Sequence, residues 1–145
     1  MLDIDVLRQV VEDLIPFNKL LGVKLIAVSR GNVRLEVPFR DELIGDPMRR
    51  AIHGGVMSTL ADASCGAALW SHYEDPRTRI STIDLRIDYL RPGRQETLVA
   101  EATVVRGGRR IGVVDVRLFH PSNPLDAVAS GKGVFNVLAM KEASV

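Results

Sequence analysis

Between Ala51 and Tyr73 the chain carries one formally charged side chain, Asp62, in the run AIHGGVMSTLADASCGAALWSHY. An ionised carboxylate withdrawn from water without a partner is costly or has its pKa driven upward, so an acid alone in an apolar segment is read as a working group. His53-Gly54-Gly55 opens the same segment. A glycine pair at a helix start leaves backbone N–H groups uncovered and able to meet a substrate oxygen. Donors and a carboxylate on one element suggest acyl chemistry.

Gly54 and Asp62 lie eight residues apart, about 12 Å along a helix and too far for both to touch one carbonyl carbon. Two chains must therefore share each site. If two such helices run antiparallel, the Gly54 end of one faces Asp62 of the other and a dimer holds two equivalent sites. The common face of Gly55, Thr59, Asp62 and Gly66 would also let two helices approach closely, which explains the glycines but not the acid.

Other chemistries fit less well. His53, His72 and His120 are scattered, with no Cys or His pair at metal-ligand spacing, and no Gly-x-Ser-x-Gly elbow occurs. His53 is a candidate general base or substrate contact. Arg91 and Arg94 in RPGR, and Arg109 and Arg110 in GGRR, are expected at strand ends, where their guanidinium groups together form an anion clamp. Each alone reads as a solvated charge. Trp70 reads as core, with contact to an acyl group as the alternative. Cys65, the single cysteine, reads as a small buried side chain.

The elements that position these residues follow from periodicity. Val6, Leu7, Val10, Val11, Leu14 and Ile15 recur at helical spacing, with Asp3 as cap and Pro16 as stop. Residues 23–29 and 32–39 read as a hairpin turning at Arg30-Gly31-Asn32. Residues 40–52 read as a loop and 55–71 as the central helix. From Ile80 to Leu90 a strand places Ile83, Leu85, Ile87 and Tyr89 on one side. Three further strands follow near 97–106, 110–119 and 127–138, the first two joined by Gly107-Gly108 and the last two by His120-Pro121-Ser122-Asn123-Pro124. The central helix is apolar nearly all round and must be wrapped. The class is therefore α+β: a curved antiparallel sheet around a long helix, with an N-terminal helix and long strand edges that invite a second copy.

Composition is consistent with this. A chain of 145 residues buries roughly 68% of its unfolded surface without a disulfide or metal. A net charge of +1 with no basic run longer than a pair excludes a nucleic-acid surface as the main purpose. Neither a secretory leader nor a membrane span is visible, so the cytoplasm is the expected compartment.

HGGVMSTLAD followed by TIDLRIDYLRPG resembles the hotdog-fold acyl-CoA thioesterases of the phenylacetate-degradation (PaaI-like) class. The resemblance extends from PFNKLLGVKL through VVRGGRR to the final strand. It implies one hotdog domain over residues 1–145, acyl-CoA as substrate, no cofactor and a dimer or dimer of dimers. It further implies that Asp62 is the catalytic base or nucleophile and that the Gly54 N–H polarises the thioester carbonyl. Thr82 is implied to help position water, and His53 to fix its loop. Several relatives carry an Asn about six residues before the His, where this chain has Pro47; Asp46 or the loop backbone is the candidate replacement. The alternatives are a hotdog hydratase or dehydratase and a non-catalytic acyl-CoA binding protein.

Overall fold

The structure is a computed structural model and describes residues 2–140. Its first helix, α1 (Ile4–Gln9), is capped by Asp3, whose side chain accepts from the N–H groups of Asp5 and Val6. It runs on as a π-turn over Val10–Leu14, in which the Ile15 N–H reaches the Val10 carbonyl at 3.1 Å. The Val11 carbonyl, which that N–H would satisfy in an α-helix, instead accepts from Nδ2 of the buried Asn18 at 3.1 Å. Pro16 does stop this segment, but it also opens α2 (Pro16–Leu21), a helix the apolar periodicity did not disclose. Proline fits a first helical position because its missing N–H would have no partner there.

The hairpin of β1 (Lys24–Ser29) and β2 (Asn32–Val37) follows as expected. The stretch expected to be a loop contains a 3₁₀ turn, Asp41–Leu43, and a small hairpin of β3 (Ile44–Asp46) and β4 (Ala51–Ile52). It is anchored by His53 N–H to the Leu43 carbonyl, 2.8 Å, and Ile52 N–H to the Gly93 carbonyl, 3.0 Å. The central helix α3 (Gly54–His72) leads to β5 (Arg79–Tyr89), β6 (Leu98–Gly107), β7 (Ile111–Phe119) and β8 (Ala129–Leu138). All pairings are antiparallel, and the main sheet has the order β1-β2-β6-β7-β8-β5. Leu60, Ala61, Cys65, Ala68 and Leu69 of α3 are buried with Leu35, Ala100, Val114 and Leu118 of the sheet. The helix is wrapped, as its all-round apolarity requires.

The two sheet edges are treated differently. At β1, Glu12 accepts from the Leu25 N–H at 2.8 Å and Arg8 donates to the Leu25 carbonyl at 2.8 Å. Helical side chains thus occupy backbone groups of that edge. At β5, the register against β8 slips between Thr82 and Asp84, leaving Ile83 as a bulge. Thr82 pairs with Phe135, whereas Leu85, Ile87 and Tyr89 pair with Gly133, Gly131 and Ala129. The extra residue therefore puts Thr82 on the same helix-facing side as the three later residues. Ile83, expected with them, is 57% exposed.

Candidate active site

The start of α3 resolves the pair of backbone donors into one. His53 is the N-cap, and its Nδ1 accepts from the Gly55 N–H at 2.7 Å. A Cβ on Gly55 would lie 2.8 Å from that nitrogen, and one on Gly45 2.6 Å from the His53 Cα, so both glycines make room for the cap. With Nδ1 accepting, a neutral His53 carries its proton on Nε2 and has no free basic nitrogen. His53 therefore shapes the helix start, and Gly55, expected to contact substrate, has its donor occupied. The Gly54 N–H has no hydrogen-bond partner among the described residues. Gly54 lines a cleft of about 320 Å³ with Ile52, Tyr89, Arg91 and Gly93.

Two turns further on, Asp62 is half-buried in the wall of a separate cavity of about 600 Å³. Thr82 Oγ1 donates to its Oδ1 at 2.7 Å. The resemblance implied a role for Thr82 in positioning water; here its hydroxyl acts on the acid itself. The bond fixes one carboxylate oxygen and leaves the other free to accept from water or to attack. The β5 bulge makes this contact possible. The two cavities share no lining residue, in keeping with the eight-residue separation along the helix.

Ser58 stands one turn from Gly54 and one turn from Asp62, and its hydroxyl is hydrogen-bonded to that of Tyr89. Neither residue was expected in the site. The spacing 54, 58, 62 was legible, but Tyr89 reads as one more apolar-face residue until its ring is seen packed over Gly54, where a Cβ would lie 3.2 Å from it. Cys65 faces the core, where burial, reinforced by the charges of Asp62 and Asp115, pushes its thiol up to about 12. It is a packing residue and no rival nucleophile.

The four arginines do not meet within one chain. Arg91 lines the Gly54 cleft and pairs with Asp126 at 2.8 Å. Arg94 donates to Ser122 Oγ at 2.8 Å and lies 3.5 Å from Glu96, while its own N–H donates to Nε2 of the buried His120 at 2.8 Å. Arg109 and Arg110 sit in the β6–β7 turn beside the opposite end of α3, where Tyr73 donates to the Gly108 carbonyl at 2.7 Å. About 27 Å of helix separates the two groups. Asp46, the candidate replacement for the missing Asn, is committed elsewhere: its Oδ1 accepts from the N–H groups of Met48 and Arg49 at 3.0 and 3.1 Å and closes the β3–β4 turn.

A long helix wrapped by an antiparallel sheet has known counterparts. The model of the thioesterase superfamily matches residues 50–127. This chain belongs to that superfamily. It is a PaaI-like hotdog thioesterase, a thioester hydrolase by family. A provisionally named esterase of Halobacterium salinarum is 38% identical over 123 residues, covering 81% of each chain. The medium/long-chain acyl-CoA thioesterase YigI of Escherichia coli is 33% identical over 115 residues, covering 71% of this chain and 74% of that one. Among solved structures, the E. coli PaaI protein of the phenylacetic acid degradation operon superposes with a TM-score of 0.75 at 25% identity, covering 86% of this chain and 85% of that one. Among the described residues no helix is long and apolar enough to cross a membrane.

Proposed function

We propose that the protein is a cytoplasmic acyl-CoA thioesterase that works as a dimer or dimer of dimers, each site joining Gly54 of one subunit to Asp62 of the other. The observation that carries this reading is the Thr82–Asp62 hydrogen bond, 2.7 Å long, in the wall of a largely apolar cavity remote from the bare Gly54 N–H. The name of the YigI relative supports a coenzyme A thioester as the substrate. The open β5 edge, with Ile83, Tyr89 and Leu90 more than half exposed, offers a second copy a strand to continue the sheet.

In this reading the Gly54 N–H donates to the thioester carbonyl and stabilises the charge that develops on its oxygen. The free oxygen of Asp62 then acts in one of two ways. As nucleophile it bonds to the acyl carbon, the C–S bond breaks, coenzyme A leaves as thiolate, and water hydrolyses the resulting anhydride. As base it takes a proton from water while the water oxygen bonds to the acyl carbon and the C–S bond breaks. Both routes end in a free acid and coenzyme A. Arg91 and Arg94, at the Gly54 end, are the residues placed to meet the nucleotide phosphates.

The test is a panel of acyl-CoA substrates assayed for thiol release. Release sensitive to Asp62→Asn is expected. A folded protein that binds acyl-CoA and releases no thiol would be a binding protein instead.

A further inference from the structure

The cavity beside Asp62 has a polarity gradient. Ser58, Thr59, Asp62 and Thr82 line one part of it. Further along α3 the lining continues with Ala63, Gly66, Ala67 and Trp70, and on the β5 side with Ile80 and, just ahead of the strand, Thr78. Phe135, paired with Thr82 in the sheet, lies beneath Gly66, where a Cβ would meet its ring at 3.8 Å. Val10 and Val11 of the π-turn, with Ile15 and Phe17, also line the cavity. Away from the acid the lining is mostly apolar, its polar members being Thr78 and Asn18, whose amide is spent on the Val11 carbonyl, and such a space favours an acyl thioester with its carbonyl at Asp62 and its hydrocarbon toward Trp70.

We propose that this cavity is the acyl-chain channel, that Trp70 sets its depth, and that the preferred substrates carry straight acyl chains of about eight to ten carbons. The inference rests on the thioesterase reading above. From Asp62 to Trp70 is eight residues, about 12 Å of helix rise. A C–C bond of about 1.5 Å advances an extended chain by about 1.25 Å, so that length takes up roughly nine or ten carbons. Gly66 stands halfway, about 6 Å from Asp62. Its missing side chain keeps the channel open there, because anything larger than a methyl group would enter the path between α3 and β5. Trp70, which reads as core from sequence alone, is half-buried, packed against the core and at the same time part of the cavity lining.

The test is a chain-length series from butyryl- to palmitoyl-CoA, with binding of the corresponding non-hydrolysable alkyl-CoA thioethers measured alongside. For the unmodified protein, kcat/KM should rise up to about fourfold per added methylene and break near eight to ten carbons. Gly66→Leu should move the break to about five carbons, leaving butyryl-CoA within a factor of about three and cutting decanoyl-CoA by tenfold or more. Trp70→Ala should move it to longer chains. Gly66→Ala, whose methyl group has room, should fold normally and leave the break within about one carbon of its original place. Equal losses at every length in the Gly66 variants, or an unchanged break in Trp70→Ala, would overturn the channel. If no acyl-CoA is hydrolysed by the unmodified protein, the thioesterase reading fails, and thioether affinities that break at the same length and move with Gly66 would still establish the channel. Length-independent affinities would remove it.

Discussion

The two ends of the working face of α3 differ in kind. At Gly54 the helix offers a backbone N–H in a narrow cleft, shaped by an imidazole cap and roofed by Tyr89. At Asp62 it offers a side chain in a cavity about twice as large, held by a hydroxyl from β5. The first end can stabilise charge on an oxygen but cannot transfer a proton or form a bond to carbon. The second can do either, yet has no backbone donor of its own, because mid-helix N–H groups are already spent. In the proposed reading a single chain holds two incomplete halves of one hydrolytic site, and the distance between them along the helix is what a second chain would bridge.

The strongest way to break this comparison is at the acid. Asp62→Asn keeps the shape and can still accept from Thr82, but is a poor base and nucleophile, so kcat should fall by about 100-fold or more. Circular dichroism and gel filtration should be unchanged. Gly54→Val attacks the other half, since its Cβ would press on Tyr89. Mixing the two inactive variants under conditions of subunit exchange should return up to about a quarter of the normal activity, because half the dimers are mixed and each holds one intact site. Confirmed exchange with no recovered activity would refute the shared site.

Smaller changes sharpen the contrast. Thr82→Val removes the hydroxyl that orients Asp62 and should lower kcat roughly tenfold, the scale of one hydrogen bond to a charged group, with KM little changed. An effect on KM alone would mean that Thr82 serves binding. Replacing Arg91 and Arg94 by Ala should raise KM for acyl-CoA several-fold, to at most about tenfold given their exposure. The N-acetylcysteamine thioester, which lacks the nucleotide, should be nearly indifferent. The same double change at Arg109 and Arg110 should do less, because these residues lie toward the Trp70 end of the helix. A larger KM effect there would place the nucleotide at that end. Asn18→Ala should leave the chemistry nearly unchanged and cost about 1–3 kcal/mol of stability in urea unfolding, since it orphans the Val11 carbonyl under the roof of the Asp62 cavity.

Much of the fold and the heart of the candidate site are legible in residue order alone. The lone carboxylate, the glycine pair and the helix between them are local patterns, and α3 differs from its expected span only by one residue at each end. The last three strands are visible because turn residues and β-branched runs are short-range features. The π-turn is hidden because Val10–Leu14 has an ordinary helical pattern; only Asn18, reaching back seven residues to Val11, accounts for the displaced bond. Ile83 is misplaced by its pattern because alternation cannot reveal a bulge until the partner strand supplies the register.

The chain by itself determined that Gly54 and Asp62 stand too far apart to serve one carbonyl, because helix rise per residue is independent of context. It also determined that α3 must be enclosed, since no face of it is polar enough to meet water. Only the tertiary structure decided what surrounds each group. The hydroxyl on Asp62 comes from a residue 20 positions away through a one-residue slip in strand register. The two arginine pairs separate because β6 (Leu98–Gly107) runs between them, with Arg91 and Arg94 before its start and Arg109 and Arg110 past its end. Trp70 comes to line the Asp62 cavity beside Val10, Val11, Ile15 and Phe17 of the N-terminal segment, about 55 positions away in the chain. Contacts of this kind depend on which distant surfaces pack together, and residue type with local spacing does not specify that.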